Sequence, residues 1–221
     1  MAEEISARAT LDERGNWGNS LVKAHLYVEG GGDSKENKIR CREGVRKLIE
    51  KMGFSESGKM PRLSACGGRG AVFDDFITAH AAQKSGDYIA MLLDSEDPIA
   101  ALEKTWDHLK KRDNWDKPDG AADEQVLFMT TSMETWIVAD RVTLKEHYSK
   151  LQENALPPLV ELESRHRHDV HDKLVHATRD CSNAYSKGKR SFEVLAQLEP
   201  AVLKQYLPSF VRFDRILKQK L

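Results

Sequence analysis

The segment YIAMLLDSED, residues 88–97, sets the architecture of the chain, because an unbroken apolar run leads directly into a cluster of acids. An apolar run of this length is typical of a strand that is buried on both faces of a parallel sheet. The acids Asp94, Glu96 and Asp97 then follow the carboxyl end of that strand. This is the edge of an open parallel sheet at which ligands bind.

Three further strands are predicted on either side of this segment, at residues 25–29, 61–66 and 125–129. Helices are predicted between and after them: from Asp33 or Ser34 to Met52, over 71–84, near 99–112, and from about 132–136. This alternation predicts an α/β, Rossmann-like fold with a mostly parallel four-strand sheet and helices on both faces.

The pattern changes after Asp140, where strand signals stop and Leu156-Pro157-Pro158 interrupts the chain. We therefore divide the sequence into a leader (1–22), an α/β domain (23–140) and a helical C-terminal extension (141–221).

Composition indicates a cytoplasmic protein. There is no apolar run of 18 residues, so no membrane partner is expected, and the N-terminus lacks the apolar core of a secretory signal. Cys41, Cys66 and Cys181 are odd in number and widely spaced, which is typical of reduced thiols.

Carboxylates follow two of the predicted strands. Glu29 ends the first strand, just before three glycines, and Asp94 ends the third, with Glu96 and Asp97 close behind. Carboxylates gathered at one sheet edge repel one another, and a divalent cation relieves that repulsion. Carboxylate oxygens suit Mg²⁺, or Mn²⁺ in its place. Each acid taken singly also fits a helix cap or a solvated turn.

Two further groups could join this edge. Glu134, after the fourth strand, fits a metal ligand and a first-turn carboxylate that favours the helix dipole equally well. Gly67-Gly68-Arg69-Gly70 follows the second strand, so that Arg69 is a candidate phosphate contact, although short glycine clusters are also common turns.

The last part of the chain is basic, since residues 141–221 hold 15 Lys and Arg against 10 Asp and Glu. Within it Lys187, Lys189 and Arg190 flank a glycine, which suits contact with a nucleic-acid backbone or an ordinary solvated loop. His168, Asp172 and His176 share one face if their helix is continuous, where they would form a zinc site or, more commonly, a polar solvated face.

The segments Val28-Glu29-Gly30 and Leu93-Asp94-Ser95-Glu96 resemble the two signatures of the Toprim domain. The resemblance implies a metal-dependent nuclease in which Glu29 is the general acid/base and Asp94 and Glu96 are metal ligands. The sequence departs from the Toprim pattern by holding Glu96 where that family has Asp. Either Glu96 or its neighbour Asp97 could therefore be the second ligand.

A closer resemblance, over most of residues 23–200, is to the bacterial family DUF4276, whose core is Toprim-like. Four segments carry it: 28–32, 65–69, 93–97 and 133–140. The resemblance implies a role beside an ATPase partner in defence against phage. A non-catalytic interaction subunit and a primase-like phosphotransferase are the alternatives. The sequence leaves open whether DNA or RNA is cut and whether the protein is a homo-oligomer.

Overall fold

A computed structural model of the chain describes residues 23–221, so the predicted leader lies outside the described residues. Four strands form one sheet: β1 (Ala24–Glu29), β2 (Arg62–Gly67), β3 (Tyr88–Asp94) and β4 (Val126–Met129). Their spatial order is β2-β1-β3-β4, and every pair is parallel. The predicted α/β fold with a parallel four-strand sheet is confirmed.

The register of the central strands determines what meets at the carboxyl edge. Val28 lies opposite Leu92, and Asp94 lies opposite Met129. Because β1 and β3 are neighbours and run in the same direction, Glu29 and Asp94 end adjacent strands on the same edge of the sheet.

Helices account for most of the remaining structure. They are α1 (Lys35–Lys51), α2 (Arg69–Ala81), α3 (Thr105–Asp113), α4 (Met133–Ala139), α5 (Arg141–His147), α6 (Arg167–Thr178), α7 (Lys189–Leu195), α8 (Pro200–Tyr206) and α9 (Pro208–Lys220). Of the two predicted caps for α1, Ser34 is the one used, and its hydroxyl accepts from the Asn37 amide at 3.3 Å.

Helix α3 begins later than the predicted start near residue 99. The carboxylate of Asp123 accepts from the Thr105 hydroxyl at 3.1 Å and from the Trp106 amide at 3.0 Å. A side chain that lies beyond the helix in sequence therefore caps its first turn, which local sequence signals do not show.

Two apolar cores cover the two faces of the sheet. Helices α2 and α3 cover one face, where Phe76 and Trp106 pack on β3. Helix α1 and the helices after β4 cover the other as a single core, in which Trp136 meets Phe210 edge-to-face at 4.9 Å. An aromatic pair of this kind adds about 0.5–1.5 kcal/mol to area burial. The region after residue 140 thus shares its core with the sheet.

The sequence also predicts reduced cysteines and no membrane-spanning segment. Cys41, Cys66 and Cys181 are buried and form no disulfide with one another. Among the helices of residues 23–221, none is both long and apolar enough to cross a membrane.

Candidate active site

The turns after β1 and β2 are packed against each other through glycines. Gly31 has a φ of +89°, and a Cβ there would lie 2.7 Å from the backbone nitrogen of Lys38. A Cβ on Gly67 would lie 2.5 Å from the carbonyl oxygen of Gly32, and the Gly30 amide donates to the Gly67 carbonyl at 2.9 Å. No other residue fits these positions. The close approach fixes the backbone that follows Glu29.

Glu29 lies at this edge between a cation and the end of β3. Its Oε2 accepts from the Asp94 amide at 3.2 Å and lies 3.5 Å from Nη1 of Arg69. Burial raises the pKa of Glu29, and the nearby charge of Glu96 adds to the rise, although Arg69 opposes it. The environment therefore favours a proton on Glu29 more than water would.

Asp94 is the second acid of the edge. Its Oδ1 accepts from the Met133 amide at 2.8 Å, which ties it to the first turn of α4. Burial raises the pKa of Asp94 well above its ordinary value, and the negative charges of Glu29 and Glu134 raise it further. The site thus penalises the ionised form of Asp94 in the absence of a counter-charge.

Glu134 is the third acid and is only 1% exposed. Its Oε1 accepts from the Tyr185 hydroxyl at 2.7 Å, and Nζ of Lys187 lies 3.6 Å away. Burial alone would raise the pKa of Glu134, but Lys187 and the Tyr185 hydrogen bond outweigh it and lower the pKa. Glu134 therefore stays ionised beside the two acids with raised pKa values.

The three acids line one cavity of about 370 Å³, which we call the acid cavity. The glycine turn after β1 forms part of its wall, Lys187 comes from the turn before α7, and Phe192 comes from α7 itself. The ends of all four strands and the last third of the chain thus contribute to a single chamber.

Glu96 and Asp97, the two alternatives for a second ligand, do not line the acid cavity. Glu96 has a φ of +68°, and its carboxylate pairs with both Arg112 and Arg167. The Asp97 side chain is 55% exposed and lies 3.4 Å from Nε of Arg112. Arginines, rather than the other acids, surround Glu96.

Arg69, the candidate phosphate contact, is largely buried, with 12% of its side chain exposed. Its guanidinium binds both carboxylate oxygens of Asp113, at 2.9 and 2.7 Å, and donates to the Asp94 carbonyl at 2.5 Å. It also stacks on Trp115, 5.3 Å from the ring centroid. With its donors engaged in this way, Arg69 braces Glu29 and the end of β3.

The segment Lys187–Arg190, which we call the basic turn, lies partly at the acid cavity and partly at the surface. Lys187 lines the acid cavity, whereas Lys189 and Arg190 do not. Lys189 lies 3.8 Å from Glu193 on the same helix, a contact typical of a solvated helix face.

The predicted zinc triplet, His168, Asp172 and His176, lies on the continuous helix α6, and all three residues are exposed. Within residues 23–221, no three His, Cys, Asp or Glu side chains lie close enough together to hold a metal ion by themselves. The acids that line the acid cavity are included, so they do not form a complete ligand set by themselves. A cation there would take its remaining ligands from water or from substrate oxygens, as Mg²⁺ commonly does.

Sequence reasoning missed Tyr185, Arg112 and Arg167. Tyr185 reads as an ordinary core aromatic, and only its hydroxyl contact with Glu134 gives it a place in the site. The two arginines come from α3 and α6, and no spacing rule connects either with Glu96.

Fold and site together define an α/β protein with a parallel sheet and a buried carboxylate cavity at the carboxyl edge of that sheet. The family model described as "Domain of unknown function (DUF4276)" matches residues 28–218, and the chain belongs to this family. No curated protein and no solved structure gives a significant match.

Proposed function

We propose that the protein is a divalent-metal-dependent nuclease that cleaves phosphodiester bonds in nucleic acid at the acid cavity. One observation carries the proposal: Glu29 and Asp94 end adjacent strands, the charge of Glu29 adds to the burial that raises the pKa of Asp94, and both acids line one cavity with Glu134. Like charges brought together in a partly buried chamber call for a counter-charge, which a divalent cation supplies.

The carboxylate oxygens of Glu29 and Asp94 suit such a cation. Among residues 23–221, Oε2 of Glu29 and Oδ1 of Asp94 have hydrogen-bond donors, whereas Oε1 of Glu29 and Oδ2 of Asp94 have none. Carboxylate oxygens are the ligands that Mg²⁺ and Mn²⁺ prefer. When bound, the cation would polarise a phosphoryl oxygen and lower the pKa of a water molecule.

Glu134 is better suited than Glu96 or Asp97 to be the third acid near the cation, beside Glu29 and Asp94. It lines the same cavity and remains ionised, while Glu96 is already neutralised by Arg112 and Arg167. This assignment differs from the Toprim resemblance, which implies Glu96 as the second ligand.

The proposal gives Glu29 the role of general acid/base. Burial raises its pKa above the ordinary value, which suits a carboxyl group that must both accept and deliver a proton. Arg69 and the Asp94 amide would hold the carboxylate in place during that transfer.

A cytoplasmic role beside an ATPase in defence against phage completes the proposal. Its support is the family resemblance together with three buried thiols, a state that a reducing compartment maintains.

A non-catalytic interaction subunit is the second candidate. It is favoured by the pairing of Glu96 with two arginines, which leaves this acid occupied by protein cations.

The experiment is a plasmid-nicking assay with purified protein in Mg²⁺ or Mn²⁺, repeated with single-stranded DNA and RNA. We expect cleavage that EDTA abolishes and that Glu29→Gln lowers by about two orders of magnitude, the effect typical of losing an acid/base group. Equal cleavage by Glu29→Gln, or cleavage that survives EDTA, would contradict the proposal. Inactivity of the folded protein on all three substrates, with its ATPase partner present, would favour the interaction subunit.

A further inference from the structure

A second cavity of about 300 Å³ adjoins the acid cavity and shares three lining residues with it: Asp94, Glu134 and Lys187. Its other walls are polar as well. Ser132 comes from the turn before α4, and Arg167, His168 and His171 come from the first two turns of α6. We call this chamber the basic cavity.

Two permanent cations line the basic cavity. The side chain of Lys187 is 66% exposed, and its Nζ lies 3.6 Å from Glu134. Arg167 is 33% exposed and pairs with Glu96 through Nη1. Within residues 23–221 its Nε and Nη2 make no other hydrogen bond or ion pair, so donors are left for an anion.

A buried hydroxyl supplies an independent sign of a ligand. Ser132 is only 3% exposed, and its Oγ makes no hydrogen bond of normal geometry among residues 23–221, although it lies near enough to the Glu134 carboxylate to help lower the pKa of that acid. A buried polar group left unpaired costs about 1–3 kcal/mol. A ligand oxygen in the basic cavity that Ser132 lines would satisfy it.

Helix α6 adds its amino terminus to this wall. Arg167 and His168 are its first two residues; the His168 amide donates to Nδ1 of the cap residue His166 at 3.3 Å, and the dipole at this end of the helix favours negative charge. His171 lies one turn further on, with Nδ1 3.0 Å from the Asp172 carboxylate. With Nδ1–H donating to that carboxylate, Nε2 of the neutral ring is an acceptor, so His171 shapes this wall without supplying a donor to an anion.

We propose that the basic cavity is a phosphate subsite, which holds a backbone phosphate of the nucleic acid against Lys187, Arg167 and Ser132 while Asp94 and Glu134 separate it from the acid cavity. The inference rests on the proposed function for its substrate class. The two chambers divide the work: the acid cavity takes the cation, and the basic cavity takes the anionic backbone.

The test measures binding without metal, so that its outcome does not depend on cleavage. A short fluorescein-labelled single-stranded oligonucleotide is titrated in EDTA by fluorescence polarisation, with inorganic phosphate as competitor. Lys187→Gln and Arg167→Gln should each weaken binding by about tenfold, the scale of one charge-assisted hydrogen bond. Each should also reduce the salt slope of log K by about 0.7, one phosphate contact on a single strand.

Matched variants separate this subsite from general surface charge. Lys145→Gln removes an equivalent charge from an exposed lysine on α5 that pairs with Glu153, and should change affinity by less than about twofold. Lys189→Gln makes the same change within the basic turn but outside the cavity, and should cost less affinity than Lys187→Gln. Equal losses at Lys187 and Lys189 would overturn the subsite.

Arg167 needs one further control because it also neutralises Glu96. The double variant Glu96→Gln/Arg167→Gln keeps the net charge of the parent, so that a loss of affinity in it reports the lost phosphate contact. Parental affinity in the double variant would overturn the role of Arg167.

The outcomes also separate this inference from the proposed function. If Lys187→Gln and Arg167→Gln bind the oligonucleotide like the parent, the subsite is wrong even when the protein cleaves plasmid. If both lose affinity but no metal-dependent cleavage occurs, the subsite stands and the nuclease proposal fails. Asp94→Asn should bind in EDTA at least as tightly as the parent, because it removes a negative charge from the cavity wall.

Discussion

The backbone amide of Asp94 donates a hydrogen bond of 3.2 Å to Oε2 of Glu29, so that the two acids are joined at the ends of adjacent strands. The bond fixes the Glu29 carboxylate, and the Asp94 carboxylate is held by the Met133 amide. Each acid thus has one oxygen fixed, and the charge of Glu29 adds to the burial that raises the pKa of Asp94.

Replacing Asp94 with Asn should stabilise the metal-free protein at pH 8. The folded state raises the pKa of Asp94, so ionisation destabilises it as the pH rises above the unfolded value, and Asn removes that cost. We expect a gain of about 0.5–2 kcal/mol in the free energy of unfolding, measured by denaturant titration in EDTA. The Met133 amide keeps its acceptor, because the amide oxygen of Asn replaces Oδ1.

Asp97→Asn is the matched control, since the Asp97 side chain is 55% exposed and lies 3.4 Å from Nε of Arg112. Its stability should stay within about 0.5 kcal/mol of the parent. If Asp94→Asn is no more stable than Asp97→Asn, the carboxylate pair is not under the repulsion we infer.

A divalent cation should locate at the acid cavity. Crystals soaked in Mn²⁺ should show an anomalous peak beside Oε1 of Glu29 and Oδ2 of Asp94, the oxygens without protein donors among residues 23–221. We expect Glu134 rather than Glu96 to be the third carboxylate near the peak, because Glu96 is paired with arginines. A peak between Asp94 and either Glu96 or Asp97 would instead restore the ligand set implied by the Toprim resemblance.

The strand ends could be predicted from the sequence because apolar runs and glycines mark them. The YIAMLLD run, residues 88–94, corresponds to β3, and the first strand ends at Glu29 as predicted. The spatial order of the strands in the sheet could not be predicted from these local patterns. Since β1 lies between β2 and β3, Glu29 is adjacent to Asp94, a result of sheet assembly and not of local pattern.

The sequence did not reveal which groups form ion pairs with the charged side chains at this edge. Arg69 looks like a free cation beside a glycine turn, yet Asp113 at the end of α3 holds it. Glu96 looks like a ligand, but Arg112 and Arg167 reach it from two different helices. Long side chains meet through tertiary packing, and spacing along one element does not reveal such meetings.

Arg69→Lys should destabilise the fold. Lysine cannot bind Asp113 with two parallel hydrogen bonds or stack on Trp115 in the way that guanidinium does. We expect a loss of about 1–3 kcal/mol in the free energy of unfolding, measured by denaturant titration. Arg179→Lys, at an exposed arginine 3.7 Å from Asp180, should change stability by less than about 0.5 kcal/mol. Equal stability of the two variants would return Arg69 to its predicted role as a phosphate contact.

Glu163 should make stability depend on pH near neutrality. Burial raises the pKa of Glu163 from 4.5 to about 7, although the Ser209 amide and hydroxyl partly oppose the rise. The folded state therefore binds more protons than the unfolded state between these values, and stability falls as the pH rises through that window.

Glu163→Gln should abolish this dependence. The free energy of unfolding of the variant should rise relative to that of the parent as the pH rises from about 4.5 to 7, by on the order of 3 kcal/mol for a shift of this size. The measurement is denaturant unfolding at several pH values. Glu146→Gln, at an exposed position on α5, provides the comparison and should follow the parent at every pH. A constant difference between Glu163→Gln and the parent would show that Glu163 titrates normally.

The most direct measurement for the nuclease claim is the plasmid cleavage rate of Asp94→Asn against that of Asp97→Asn in Mg²⁺. Asp94 ends β3 and Asp97 lies three residues further on, so each variant removes one carboxylate from the same edge of the sheet, but only Asp94 lines the acid cavity. We predict that Asp94→Asn cuts about two orders of magnitude more slowly than the parent and recovers partly at raised metal concentration, while Asp97→Asn stays within about twofold. Cleavage by Asp94→Asn at the parental rate would show that the acid cavity does not perform the chemistry.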